Sequence, residues 1–401
     1  ELGARLLPGD GPNRVRMFAP HPELLYRLAP GFERTLHVPR YAPGAPAPMP
    51  VSISRQGFRD RAYGPKADDE YRVLMLGDSF TFGWGLPASA SLPTQLAARL
   101  RAAYPGRTVT VVNGGVSGYA PWQARGLFLE EAERLDPDCV VLQTFAGNDL
   151  ADTLTQAPDA LEALEAYRPW RLRLVRRFKL LEYAPARFDH WLFTHSWGYF
   201  HVCTTLGADL LVARACNLAG LFGGVSIPAL PPRAGRPPRF ECHLCDTYPA
   251  LERAWRLFEA DIRGLRDDCR ARGIGFAAFN IPDPLTPEDI AELTERAPPG
   301  VYCPDRGNRR VENFFADEEM PHARCLEKVR AHPDPASLYF PVNRHLSERG
   351  AAFITDLLCE ALFAEGLPGA AAPPAPVSAE APRSSAGTAR ATRASSASAG
   401  A

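Results

Sequence analysis

The strongest constraint in this chain is a rhythm. A short apolar run, "YRVLML" (Tyr71–Leu76), gives way to "SLPTQLAARLRAAY" (Ser91–Tyr104), whose Leu92, Leu96 and Leu100 share one helical face. "TVTVVN" (Thr108–Asn113) follows as a second strand. "PWQARGLFLEEAERL" (Pro121–Leu135) is a helix with Pro in its first turn, and "DCVVLQTF" (Asp138–Phe145) is a third strand. Strand, helix, strand, helix, strand calls for a parallel sheet with helical crossovers, because parallel neighbours cannot be joined by a tight turn.

The same rhythm returns late. "ALERAWRLFEADIRGLRDDCRARG" (Ala250–Gly273) spells a long amphipathic helix ended by glycine, and "IGFAAFNIP" (Ile274–Pro282) a fourth strand. "ASLYFPVN" (Ala336–Asn343) is expected as the last strand or an edge, before a final helix over Ser347–Ala364. The expected organisation is therefore a discontinuous α/β core over 66–154 and 250–366. An extended, Pro- and Arg-rich segment over 1–65 precedes it, and an insertion or cap over 155–249 interrupts it. The tail 367–401 is low-complexity Ala, Pro and Ser; it cannot bury enough apolar surface to offset its ordering entropy and is expected to be disordered.

The totals agree with one elaborated α/β domain: of 401 residues, 46% are apolar and 23% charged, enough for a sizeable core. The net charge of −1 gives no reason to expect a nucleic-acid partner. There is no run of 18 uncharged apolar residues, so no segment of the given chain is expected to span a bilayer. Residue 1 is Glu, which leaves room for an upstream signal or anchor. Nine irregularly spaced cysteines read as mostly buried free thiols, with two or three bridges if the protein is exported.

In open parallel sheets, ligands bind beyond the carboxyl ends of the strands. Three strands here end in small polar clusters: Gly77-Asp78-Ser79, Asn113-Gly114-Gly115 and, after a short turn, Gly147-Asn148-Asp149. His345 follows the expected last strand and can reach the same edge. That set supplies what ester cleavage needs. A serine hydroxyl is a weak nucleophile until a base takes its proton, and His345 is the natural base for Ser79. The developing oxyanion needs preorganised donors, for which the Ser79 N–H, the Gly115 N–H and the Asn148 side-chain amide are the candidates. Asp78 reads as a loop-fixing residue beside the nucleophile, Asn113 as a turn residue, and Asp149 as scaffold or as a substitute acid.

"GDSFTFG" (Gly77–Gly83), "NGGVSGY" (Asn113–Tyr119), "GND" (Gly147–Asp149) and a late His345 together resemble, in order, the blocks of the SGNH, or GDSL-type, hydrolases. The resemblance covers about residues 50–154 and 250–365. It implies a three-layer α/β/α flavodoxin-like fold with about five parallel strands, and hydrolysis of esters or removal of acetyl groups without metal or cofactor. It implies the same roles for Ser79, Gly115, Asn148 and His345. The G-x-S-x-G signature of the α/β-hydrolases is absent. "SISRQGFRD" (Ser52–Asp60) resembles the lead-in of a bacterial branch, several members of which act on envelope or exopolysaccharide glycans. An acetylated carbohydrate is the substrate this implies, and an exported or envelope location is favoured on the same ground.

The sequence departs from the family at one point. An Asp usually stands two or three residues before the catalytic His, but here Asn343 and Val342 occupy those positions. Three explanations are open: a backbone carbonyl orients His345; an acid such as Asp149, Asp152 or Asp283 substitutes; or the chain is catalytically impaired and binds carbohydrate. A glycan O-acyltransferase using the same residues is a further alternative. Elsewhere, Cys242-His243-Leu244-Cys245 is half of a zinc ligand set without a matching second pair, so a local disulfide or free thiols is the simpler reading. "RPWRLRLVRRFK" (Arg168–Lys179) suits an anionic membrane surface or acidic polysaccharide, though a solvated helix face is the commoner fate of such a run. Trp191, Phe193, Trp197, Tyr199 and Phe200 suit sugar stacking or simple burial.

Overall fold

A computed structural model of the chain describes residues 17–21, 23–41, 46–156, 242–247, 249–283, 302–363, 366 and 368. The basic run 168–179, the aromatics 191–200 and the tail beyond 368 lie outside the described residues.

The core is a five-stranded sheet in the order β6-β5-β7-β8-β9, and every pairing in it is parallel. Its strands are β5 (Glu70–Gly77), β6 (Thr108–Gly115), β7 (Cys139–Thr144), β8 (Gly275–Asn280) and β9 (His322–Ala323). Side chains alternate between two faces, so each strand feeds two cores. Leu74, Leu76, Val112, Val140 and Leu142 pack on one face against Leu127 and Phe128 of α3 (Pro121–Leu135) and Trp255, Phe258 and Ile262 of α5 (Pro249–Ala271). Tyr71, Val73, Met75, Val111 and Val141 pack on the other face. Their partners are Leu96 and Leu100 of α2 (Leu92–Ala103) and Ile354 and Leu358 of α8 (Glu348–Leu362). Each fully buried Leu, Ile or Val contributes about 1.5–3 kcal/mol. The result is the three-layer α/β/α arrangement that the strand–helix rhythm demands.

The order of the strands places the reactive edge. From β5 the chain crosses to β6 on one side and then returns past β5 to β7 on the other. The carboxyl end of β5 is therefore where the winding reverses, and a crevice opens at such a point. The four-residue helix α1 (Ser79–Phe82) starts there, and α4 (Ala146–Gln156) starts beside it at the end of β7.

Two regions differ from the sequence expectation. The fifth strand is not Ala336–Asn343: Pro335–Leu338 forms a 3-10 turn, and only Tyr339 makes an isolated bridge, to Leu346. The fifth strand is β9, set between α6 (Arg306–Asp317) and α7 (Cys325–Arg330). Pro335 precedes the segment and Pro341 lies within it, and neither has the N–H group a ladder needs. Within 1–65, two antiparallel hairpins form: β1 (Phe18–His21) with β2 (Leu25–Leu28), and β3 (Glu33–Pro39) with β4 (Pro46–Ser52). Met49 and Val51 alternate inward in β4 while Pro48 and Pro50 face out, so the prolines do not prevent pairing at this edge. The core side chains of both hairpins join the same cluster as α3 and α5.

Candidate active site

Ser79 is held by its neighbours on both sides. Gly77 leaves the strand at φ +155°, where a Cβ would sit 2.4 Å from Gln143 Oε1 and 2.6 Å from Thr81 Oγ1. Only a bare α-carbon fits that corner. Asp78 then caps α1, its Oδ1 accepting from the Phe80 N–H at 2.9 Å. Gln143 Oε1 accepts from the N–H of Asp78 and of Thr81, both at 3.2 Å, and from Thr81 Oγ1 at 3.0 Å. At the far end of the turn, Arg59 is buried with its guanidinium donating to the carbonyls of Phe82 (2.9 Å), Gly83 (2.7 Å), Leu86 (2.7 Å) and Pro50 (3.1 Å). Its Cζ lies 4.6 Å from the centroid of the Phe82 ring, and burial lowers its pKa to about 10. The lead-in segment Ser52–Asp60 thus serves to fasten the serine corner.

Ser79 Oγ lies 2.7 Å from His345 Nε2. The other ring nitrogen, Nδ1, lies 3.0 Å from the backbone oxygen of Asn343. A carbonyl can only accept, so Nδ1 carries the proton and the neutral ring presents a bare Nε2 to the serine hydroxyl. Asn343 Oδ1 accepts from the His345 N–H at 3.0 Å, and Arg344 between them is left-handed at φ +62°. The imidazole lies beside Phe80 (ring centroids 4.9 Å apart) and Trp84 (6.4 Å).

The acids considered as substitutes are engaged elsewhere. Asp149 Oδ2 accepts from the Phe145 N–H at 2.8 Å, which makes it a capping residue for α4. Asp152 Oδ2 accepts from Asn148 Nδ2 at 2.9 Å. Asp283 Oδ2 lies 3.7 Å from Nε2 of the fully buried His243. Burial raises the pKa of Asp78 to about 6 against the pull of the Phe80 N–H and the Gln143 and Asn148 amides. Burial, and then the charge of Asp78, push Asp149 well above the ordinary carboxylate range.

Gly115 does not present a donor. Its N–H already donates to Asn113 Oδ1 at 3.0 Å, and a Cβ there would come within 2.2 Å of Phe82 N and 2.6 Å of Thr81 C. Its glycine is required for the close approach of α1 to β6, and Asn113 fixes the strand end. Three positions on, Gly118 is half-buried and left-handed at φ +83°. Among the described residues no acceptor takes its N–H. Exposure sorts the blocks in the same way: Ser79, Gly118, Asn148 and His345 are half-buried, while Asp78, Gly115, Gly147 and Asp149 are buried. The signal for Gly118 in the sequence was the Ser-Gly pair of a tight turn.

The Cys242–Cys245 segment holds one buried cysteine outside any disulfide, Cys242, and one end of a disulfide that joins Cys245 to Cys303 rather than to a local partner. Among the described residues no group of three or more His, Cys, Asp or Glu side chains is arranged to hold a metal. No helix among them is long and apolar enough to cross a membrane.

Residues 75–185 match the GDSL-like Lipase/Acylhydrolase family. No protein of curated function matches the chain. Among solved structures, a putative lipolytic protein of the G-D-S-L family from Desulfitobacterium hafniense is similar at 12% identity and a TM-score of 0.34, over 73% of this chain and 99% of its own. A lipase/acylhydrolase from Enterococcus faecalis is similar at 12% identity and a TM-score of 0.36, over 72% of this chain and 94% of its own. An acetylxylan esterase from Geobacillus stearothermophilus is similar at 13% identity and a TM-score of 0.36, over 73% and 93%. These distant likenesses assign no substrate. The matched residues span β5's end, α1, β6, α3 and β7, so this part of the chain is similar to the GDSL-like lipase/acylhydrolases, a family of ester-cleaving hydrolases.

Proposed function

We propose that this chain is a serine esterase that removes acyl groups, with acetyl esters of carbohydrate as the substrate class. The observation that carries the reading is the Ser79 Oγ to His345 Nε2 contact of 2.7 Å on a ring whose Nδ1 is held at 3.0 Å by a carbonyl. In this reading His345 takes the hydroxyl proton as Ser79 Oγ attacks the ester carbonyl. The negative charge that develops on the carbonyl oxygen is met by the N–H of Ser79, the N–H of Gly118 and the side-chain amide of Asn148. The imidazolium returns its proton to the leaving alkoxide. Water then attacks the acyl-enzyme with His345 again as base. Asn343 supplies through its main chain the orientation that an Asp supplies through its side chain, so a Ser-His dyad suffices. Carbohydrate esters are favoured by the likeness of Ser52–Asp60 to the glycan-active branch.

A serine-directed fluorophosphonate probe is expected to label the protein, and Ser79→Ala to abolish the label. The same variant lowers turnover of p-nitrophenyl acetate by at least about 10³-fold. Release of acetate from an acetylated polysaccharide, faster than release of long-chain acids from p-nitrophenyl esters, tests the substrate class. Unlabelled, well-folded protein with no Ser79-dependent turnover refutes the reading.

A further inference from the structure

Val116 to Tyr119 form a tight turn in which the Tyr119 N–H donates to the Val116 carbonyl at 3.0 Å. Gly118 stands at φ +83° and Ser117 is not among the positive-φ residues, which is the pattern of a type II turn. The middle peptide of such a turn joins the Ser117 carbonyl to the Gly118 N–H. It is trans, so these two groups point in opposite directions. Rotating that peptide by half a turn gives the type I form, with φ at the third position near −90°. Whatever grips the Ser117 carbonyl therefore decides where the Gly118 N–H points.

Tyr26 grips it. The Tyr26 hydroxyl, on β2 and 91 residues away in sequence, donates to the Ser117 carbonyl at 3.1 Å. A Cβ on Gly118 would lie 2.7 Å from that hydroxyl oxygen, so the turn and the tyrosine are fitted to each other. The hairpin that carries Tyr26 is anchored independently. Tyr119 Oη donates to the Tyr26 carbonyl at 2.6 Å, and Gln123 Nε2 to the Leu24 carbonyl at 3.0 Å. Arg27 pairs with Glu131 at 2.6 Å and Glu130 at 3.0 Å. The Tyr26 ring meets those of Phe18 and Tyr119 at 5.4 Å each.

We propose that Tyr26 is a positioning residue for the esterase reaction: it latches the Ser117–Gly118 peptide so that the Gly118 N–H faces the carbonyl attacked by Ser79. This rests on the reading of Ser79 as nucleophile. Burial, and then the nearby Asp152 carboxylate, hold the Tyr26 hydroxyl well above its ordinary pKa, so it keeps its proton and remains a donor.

The test is Tyr26→Phe, which removes the latch and keeps the ring. With p-nitrophenyl acetate, kcat is expected to fall about 10- to 100-fold with KM within about twofold, a share of what one oxyanion donor is worth. Inhibition by a boronic acid, which forms a tetrahedral adduct on serine, should weaken by a similar factor while the melting temperature holds. Tyr119→Phe loosens the hairpin without touching the Ser117 carbonyl, and should change kcat by less than about threefold. A Tyr26→Phe kcat within about twofold of wild type overturns the proposal, and so does an equal kcat loss in Tyr119→Phe. Failure of the esterase reading looks different: the wild-type protein itself would show no Ser79-dependent turnover, and the latch would fall with it.

Discussion

The restraints on the Ser79 corner come from distant parts of the chain, whereas those on the His345 ring come largely from its own loop. Gln143 on β7, Arg59 before β5 and Met49 on β4, whose sulfur accepts from the Gly85 N–H at 3.0 Å, all converge on the residues around α1. His345 is oriented by the backbone and side chain of Asn343, two residues away. The hairpin β3–β4 adds only a brace at that loop's base, where the Val342 N–H donates to the Arg40 carbonyl at 3.1 Å and Tyr41 meets Phe340 at 5.5 Å. Ser79 is fixed by the global fold, and the His345 ring by a local turn in which a main-chain oxygen faces Nδ1. Substitutions at the corner should therefore cost stability, and substitutions in the loop should retune chemistry.

The largest expected effect is at Arg59. Replacing it by Met keeps the apolar contact with Phe82 and strands the four carbonyls it serves, at about 3 kcal/mol of folding stability, read by urea denaturation. A loss below about 0.5 kcal/mol would mean that the corner does not depend on this staple. Next is Asp78→Asn, which keeps the cap acceptor and removes a titration. With a folded pKa of about 6 against an ordinary 3.8, native Asp78 holds a proton that the unfolded chain releases, so wild-type stability falls as pH rises through that window. The variant should lack this slope and be about 1–2 kcal/mol more stable at pH 7, read from melting at stepped pH; parallel curves would remove the effect. The smallest is Asn343→Asp. Because Nδ1 is already held by the main chain, kcat should change by less than about tenfold, while the added charge moves the acid limb of the kcat/KM profile to higher pH. A gain of about 10³-fold or more would show that the carbonyl is a poor substitute and that the two regions are less different than their contacts imply.

Much of this was legible in the residues. The alternating strands and helices of β5 to β7 carry strong periodicity, and three of the four reactive blocks sit where a parallel sheet must put them. His345 lies against Ser79 although the strand expected before it is a turn. The two-residue β9 has no period to detect, and its partner β8 supplies the pairing. The hairpins of the first 52 residues were masked by prolines, whose outward placement is visible only once the register is known. Gly115 and Gly118 both fit a donor by composition. What separates them is a hydrogen bond from the Gly115 N–H to Asn113 Oδ1 and a positive φ at Gly118, both properties of three-dimensional structure. Arg59 read as part of a family-like lead-in, and its four carbonyl partners span from Pro50 to Leu86, beyond the reach of any local pattern.

The carbonyl behind the imidazole has a consequence of its own. A peptide oxygen takes up no proton at the acidity where enzymes work, whereas a carboxylate in its place would be neutral below about pH 4. Acidification should therefore leave the ring's acceptor as it is, while Asp78, with its pKa at about 6, takes up a proton at the serine corner.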